Sequence, residues 1–293
     1  MKKILIVMLL TSISLVAKVN VVTTYAYLGE IVKEVGGSHV KVNVLANPKF
    51  DPHFIVPKPS LITKLRKAEL LVLNGGQLEI GWLPPLLRGA QNRAINVGSK
   101  GFVDVSGVIH MIDKPTNVSR SGGDVHPDGN PHFALDPHNM IPIAKLITKK
   151  LVMLDSANQT AYEKNLQSFI TKWSSFLDQY DAKMATCKDT KVVQYHELFN
   201  YFLKRYEFTL VGNIEPLPGI SPSSKDALKT INLMKDNNVK IILQDVYHEK
   251  KTAQFIADET GAKVQLIPHD VGSVEDTDTL EHFYNIIEER LCR

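Results

Sequence analysis

Short runs of β-branched and apolar residues alternate along this chain with stretches whose apolar residues recur every three or four positions. The first pattern predicts buried strands and the second amphipathic helices. Strands are expected at 19–23, 40–45, 70–73, 191–195, 209–214, 240–243 and 263–267. Helices are expected at 25–35, 59–67, 137–154, 196–206, 223–235, 250–260 and 279–291. Segment 78–87 holds Trp82 and Pro84-Pro85, so any helix there is read as broken, and 94–97 and 102–105 are short apolar pieces. The polar stretch 114–128 predicts a long surface loop.

The most regular stretch has Tyr162, Leu166, Phe169, Ile170, Trp173, Phe176, Leu177, Tyr180 and Met184 on one helical face. Thr160 and Glu163 are spaced for a capping box at its start. A helix over 158–185 would be about 40 Å long at 1.5 Å per residue, the span of a whole domain. Alternating β and α units imply parallel sheets covered by helices. The fold class is therefore α/β: two lobes with parallel sheets flanked by helices, joined by one long rigid helix. The expected divisions are 18–157, 158–185 and 186–293, and no internal sequence repeat is visible.

Residues 1–17 read as a secretory signal: Lys2 and Lys3, an apolar run over 4–16, and Ala17 at the cleavage point. The run is short of the roughly 20 residues that cross a bilayer as a helix. No cysteine lies near the cleavage point, so a lipid anchor is not expected and export to a periplasm is. Only Cys187 and Cys292 are present, which excludes a CxxC site. An oxidising compartment permits a disulfide between them, with two free buried thiols as the alternative. The net charge of +3, without a dense basic stripe, gives nucleic-acid binding no support.

Candidate chemistry concentrates in Gly123–Asn139, GDVHPDGNPHFALDPHN. Asp136-Pro137 reads as a helix start, and Gly129-Asn130-Pro131 forces a turn. His132 is thus held on a constrained loop just ahead of a helix. In α/β sheets ligands bind beyond the carboxyl ends of the strands, where His53, His196 and Asp270 fall. His53, His132, His196 and Asp270 make a four-ligand set that suits tetrahedral Zn²⁺, although ligand type alone does not exclude Mn²⁺ or iron. His269 competes with Asp270 for the fourth place. His126, Asp124 and Asp128 are read either as an outer metal-collecting site or as a merely soluble loop. His138 is expected to be solvated. His39, His110, His248 and His282 form no usable pattern.

Several motifs occur in a telling order: Asp51-Pro52-His53 with Pro59-Ser60, Gly129-Asn130-Pro131-His132 with Leu135-Asp136-Pro137-x-Asn139, His196-x-x-Phe199-x-Tyr201-Phe202, and Glu215-Pro216. Together they resemble the zinc/manganese-type periplasmic solute-binding proteins of metal ABC transporters. That resemblance covers most of the mature chain and implies two α/β lobes joined by one long helix, with metal in the cleft. It carries ligands to His53, His132 and His196 directly, and to Asp270 by its place after the last strand. Manganese-type relatives tend to have Glu where His196 stands, which favours the zinc-binding branch. Zinc members often have a His-rich loop before the second ligand, and here that loop is poor in His.

The implied function is a periplasmic receptor, not an enzyme, that captures Zn²⁺ and delivers it to an ABC importer. Its partners would be a permease in the inner membrane and, as a loading partner, a periplasmic metallochaperone; a monomer is expected. The long helix implies release by small lobe shifts or loop movement. Alternatives are a manganese- or iron-specific receptor of the same family, a secreted zinc metallohydrolase with Glu197 as base, and a surface adhesin. Glu197 is not at HExxH spacing, which weighs against the hydrolase.

Overall fold

A computed structural model describes residues 18–116 and 126–292. The expected signal segment and Asp124 lie outside the described residues. Strands β1 (Val19–Thr23), β2 (Val40–Val44), β3 (Leu70–Leu73) and β4 (Phe102–Asp104) form a parallel sheet in the order β2-β1-β3-β4. Strands β5 (Lys191–Gln194), β6 (Thr209–Asn213), β7 (Ile241–Gln244) and β8 (Lys263–Leu266) form a second, in the order β6-β5-β7-β8. The central strands are covered on both faces, which is why they read as continuous apolar runs: all four residues of β3 are buried. Both sheets place their second strand first and their first strand second. The lobes thus share a topology that the sequence does not reveal as a repeat.

Nine α-helices flank the sheets among the described residues: α1 (Ala26–Gly36), α2 (Pro59–Arg66), α3 (Leu83–Ala90), α4 (Met140–Leu154), α5 (Gln159–Met184), α6 (Asn200–Arg205), α7 (Ser224–Asn237), α8 (Lys251–Thr260) and α9 (Leu280–Cys292). Three differ from expectation for physical reasons. Helix α3 is intact, because Pro84 and Pro85 occupy its first turn, where no intrahelical N–H bond is lost. Helix α6 starts late, because His196–Phe199 forms a connecting loop. The predicted Thr160–Glu163 box is absent: Asn158 is the N-cap and makes no side-chain cap bond, while Gln159 bonds Glu163 at 2.7 Å.

Helix α5 has 26 residues and buries Tyr162, Phe169, Trp173, Leu177, Tyr180 and Met184. It packs on α1, α4 and α9, and Trp173 Nε1 donates to Pro137 O at 2.9 Å. The main apolar core runs without a break from β1 and β3 through α5 to α6, α9, Val192 and Leu243. A smaller core lies under α7 and α8. No described helix is long and apolar enough to cross a membrane.

Cys187, just after α5, and Cys292, in the last turn of α9, are disulfide-bonded with Cα atoms 5.5 Å apart. The bond closes a loop spanning 105 positions. A Cys187→Ser, Cys292→Ser variant is expected to lose about 2–5 kcal/mol of stability, the range for a native disulfide in a small secreted domain. Denaturant unfolding of oxidised protein and variant measures it. Equal midpoints would contradict the assignment.

Candidate metal centre

His53 stands in the loop after β2, and its neighbours fix the ring. Asp51 Oδ1 accepts from both the backbone N–H of His53 (2.9 Å) and its Nδ1 (2.8 Å). Between them, Pro52 O accepts from Tyr25 Oη at 2.9 Å and Trp82 Nε1 at 3.1 Å. A carboxylate only accepts, so Nδ1 carries the proton and Nε2 is left with a free lone pair. That Nε2 is buried and has no partner. Burial pushes the Asp51 carboxyl up, but its bonds to His53 prevail and hold it below its ordinary value.

His132 is positioned through Asn130. Asn130 Oδ1 accepts from the His132 N–H at 2.9 Å, while its Nδ2 donates to Glu197 O at 2.7 Å. Asn130 O accepts from Tyr201 Oη at 2.9 Å, and Pro131 O accepts from Asn74 Nδ2 at 3.0 Å. Gly129 enters this turn at φ 112°, and a Cβ there would sit 2.6 Å from Ile112 O, so both backbone geometry and space demand glycine. The His132 ring is buried, and burial, followed by the neighbouring His53 and His196, holds it neutral by pushing its pKa well down.

His196 follows β5, and its Nδ1 lies 2.7 Å from Glu215 Oε2. The other Glu215 oxygen lies 3.2 Å from His248 Nε2, and His248 Nδ1 lies 2.7 Å from Asp245 Oδ2. Burial raises the Glu215 carboxyl, but hydrogen bonds from His196 and His248 win and bring it down to about 2. Burial likewise lowers His248, but its bonds to Asp245 and Glu215 win and raise it to about 10. Glu215 is therefore an anion that orients His196 Nδ1–H and leaves Nε2 free, an arrangement that metal-bound histidines commonly use.

The ligand nitrogens of His53, His132 and His196 all lie within 4.8 Å of one another. Nε2 of His132 and Nε2 of His196 are 3.3 Å apart. Tetrahedral zinc with Zn–N bonds of about 2.0–2.1 Å puts neighbouring nitrogens about 3.3–3.4 Å apart. The three ring centres are 5.1, 5.3 and 5.5 Å apart, the near-equal spacing of imidazoles radiating from one point. Two rings come from the first lobe and one from the second.

Asp270 is buried but lies outside this group of ligand atoms. Its Oδ2 accepts from Ala26 N (2.9 Å), and its Oδ1 from Tyr27 N and Val271 N (2.8 Å each). It thereby satisfies the first amides of α1, whose N-cap Tyr25 makes no side-chain bond. Burial pushes its carboxyl up to about 7, against the pull of these three amides. Asp270, His269 and His132 border one small cavity, and His269 Nδ1 is buried without a partner. Glu197 Oε1 accepts from Asn213 Nδ2 at 3.2 Å and is not among the clustered ligand atoms. His138 is only half-exposed rather than solvated, because its Nε2 lies 3.0 Å from Asp181 Oδ2 on α5. Sequence reasoning missed Asp51, Glu215, Asp245 and His248 as supports. The Asp51-x-His53 and Asp245-x-x-His248 spacings held a local signal, and Glu215 stood in the Glu215-Pro216 motif.

A two-lobed α/β chain that converges imidazoles from both lobes has the architecture of a metal-type solute-binding protein. The chain belongs to the family described as zinc-uptake complex component A, periplasmic (ZnuA), whose profile matches residues 21–292. It is 27% identical over 256 residues to the high-affinity zinc uptake system protein ZnuA of Bacillus subtilis strain 168, covering 85% of this chain and 78% of that protein. It is 31% identical over 196 residues to the manganese ABC transporter substrate-binding lipoprotein PsaA of Streptococcus pneumoniae, covering 64% of this chain and 59% of that one. In fold, it superposes on a crystal structure of ZnuA with TM-score 0.77 at 24% identity, over 94% of this chain and 99% of the other.

Glu215→Gln removes the fixed anion and the tautomer it selects, so Zn²⁺ affinity is expected to fall about 10–100-fold. Chelator competition measures this; an unchanged affinity would contradict the orienting role. His248 titrates near 10 in the folded protein against about 6.5 unfolded. Its contribution is full below about pH 6.5 and is lost as pH rises through about 10. Stability of the metal-free protein should therefore drop between pH 7 and 10, and that slope should flatten in His248→Gln.

Proposed function

We propose that this chain is a periplasmic receptor that captures Zn²⁺ between its lobes through His53, His132 and His196 and presents it to the permease of an ABC importer. The observation that carries the reading is the 3.3 Å separation of Nε2 of His132 from Nε2 of His196, which matches one edge of a zinc tetrahedron, with a ligand nitrogen of His53 within 4.8 Å of both. A set this rich in nitrogen favours zinc over manganese, by ligand preference and by the affinity order of divalent ions. Asp270 is the proposed fourth donor, since a carboxylate oxygen that accepts an amide proton retains a second lone pair. Four protein ligands leave no open position for a reactive water, so the site is proposed as non-catalytic. The reading includes removal of residues 1–17 on export, a first lobe over 18–157, α5 as the linker within 158–185, and a second lobe over 186–293. It also includes a monomeric state and loading either directly or by a metallochaperone.

Competition titration of metal-free protein with Zn²⁺ and Mn²⁺ tests the reading. One zinc per chain is expected, with manganese far weaker. His53→Ala, His132→Ala and His196→Ala should each weaken zinc by at least a hundredfold. Asp270→Ala should weaken zinc and also lower the stability of the metal-free protein by about 1–3 kcal/mol, because buried amides of α1 lose their acceptor. Manganese preferred over zinc, or zinc binding that survives His132→Ala, would refute it.

A further inference from the structure

One imidazole at the site has been given no task. His126 stacks on His53 with ring centres 5.4 Å apart and planes 29° apart. Its ring centre is 6.4 Å from that of His132. Its Nε2 is buried and without a hydrogen-bond partner, as is Nε2 of His53. A polar nitrogen that gives up water without a partner costs free energy unless something else binds it. These two nitrogens belong to stacked rings beside a cluster spaced for a cation, with His126 just outside the three ligand nitrogens that lie within 4.8 Å of one another.

The backbone that carries His126 is anchored. His126 to Gly129 is a turn closed by Gly129 N donating to His126 O at 3.1 Å, with Pro127 at the position where a fixed φ suits it. Gln77 Nε2 donates to Asp128 Oδ2 at 3.1 Å, and Asn130 N donates to Ile112 O at 2.9 Å. The ring is therefore presented from a pinned turn that shares its frame with the His132 backbone. Moving its centre by about 1 Å toward His132 would bring it to the 5.1–5.5 Å spacing that the other three rings keep from one another.

Resting on the function proposed above, we infer that His126 is a protein ligand of the same ion, a fourth imidazole beside His53, His132 and His196. It approaches from the His53 side of the cluster. Asp270 instead borders an inner cavity that His132 lines and that neither His53 nor His126 lines. Added to His53, His132, His196 and Asp270, it makes the ion five-coordinate, which zinc accommodates. The fourth nitrogen adds to the discrimination against Mn²⁺, which prefers oxygen donors.

Zinc-edge X-ray absorption on the zinc-loaded protein counts the imidazoles. Four are expected in the wild type and three in His126→Ala. Chelator competition should show Zn²⁺ bound about 10–100-fold more weakly by His126→Ala, while substitution of the exposed His110 leaves affinity unchanged. Three imidazoles in the wild type, or wild-type affinity in His126→Ala, would overturn the inference. The wild-type count is independent of how the variant folds. Failure of the underlying reading looks different: the wild type would bind no zinc, or His132→Ala would bind it as tightly as the wild type.

Discussion

The meeting of His132 with His196 depends on bonds that tie the His132 turn of the first lobe to the His196 segment of the second. Asn130 reaches Glu197 O and receives Tyr201 Oη, and Ile112 N also donates to Tyr201 Oη at 3.2 Å. Below them, Arg205 makes a two-pronged ion pair with Asp136, through Nε at 3.1 Å and Nη2 at 2.8 Å to the same oxygen. Asp136 also accepts from His138 N at 3.0 Å, at the start of the turn leading into α4. These pins bring the two rings together across the lobes, with their Nε2 atoms 3.3 Å apart.

The charge layout follows the same logic. Each outer carboxylate addresses a ring's Nδ1: Asp51 for His53 and Glu215 for His196. Each supplies negative charge one bond removed from the cluster, and each fixes a tautomer. Glu215 is itself held by His248, which in turn is held by Asp245. Asp270 works at a different joint, where it closes the N-terminus of α1 from 244 positions away in sequence. The same side chain therefore ties the second lobe to the first. The continuous core through α5, α6 and α9 adds stiffness that two independently hinged lobes would lack.

Much of the architecture was legible because parallel strands covered on both faces read as unbroken apolar runs, and the α5 face repeats over many turns. The errors have local causes. Pro84-Pro85 looked like a break but occupies the first helical turn of α3, and Thr160 already lies inside α5. The three histidines were visible because they stand beyond strand ends or next to a forced turn. The contacts of Asp270 with α1 and of Glu215 with His248 were not, because they join residues far apart in sequence by side chains that carry no local pattern. His126 was read only as part of an outer metal-collecting site or of a soluble loop; its stacking on His53 exists only in three dimensions.

The central claim is that the interlobe pins set the metal site in advance. High-resolution crystal structures of the metal-free and zinc-loaded protein test it most directly, through the separation of Nε2 of His132 from Nε2 of His196. The account predicts that the separation stays within about 0.5 Å of its value here, the tolerance of a preorganised site, and that the Asn130–Glu197 and Arg205–Asp136 bonds persist in both forms. A metal-free structure with those bonds broken and the two nitrogens several ångströms further apart would contradict it.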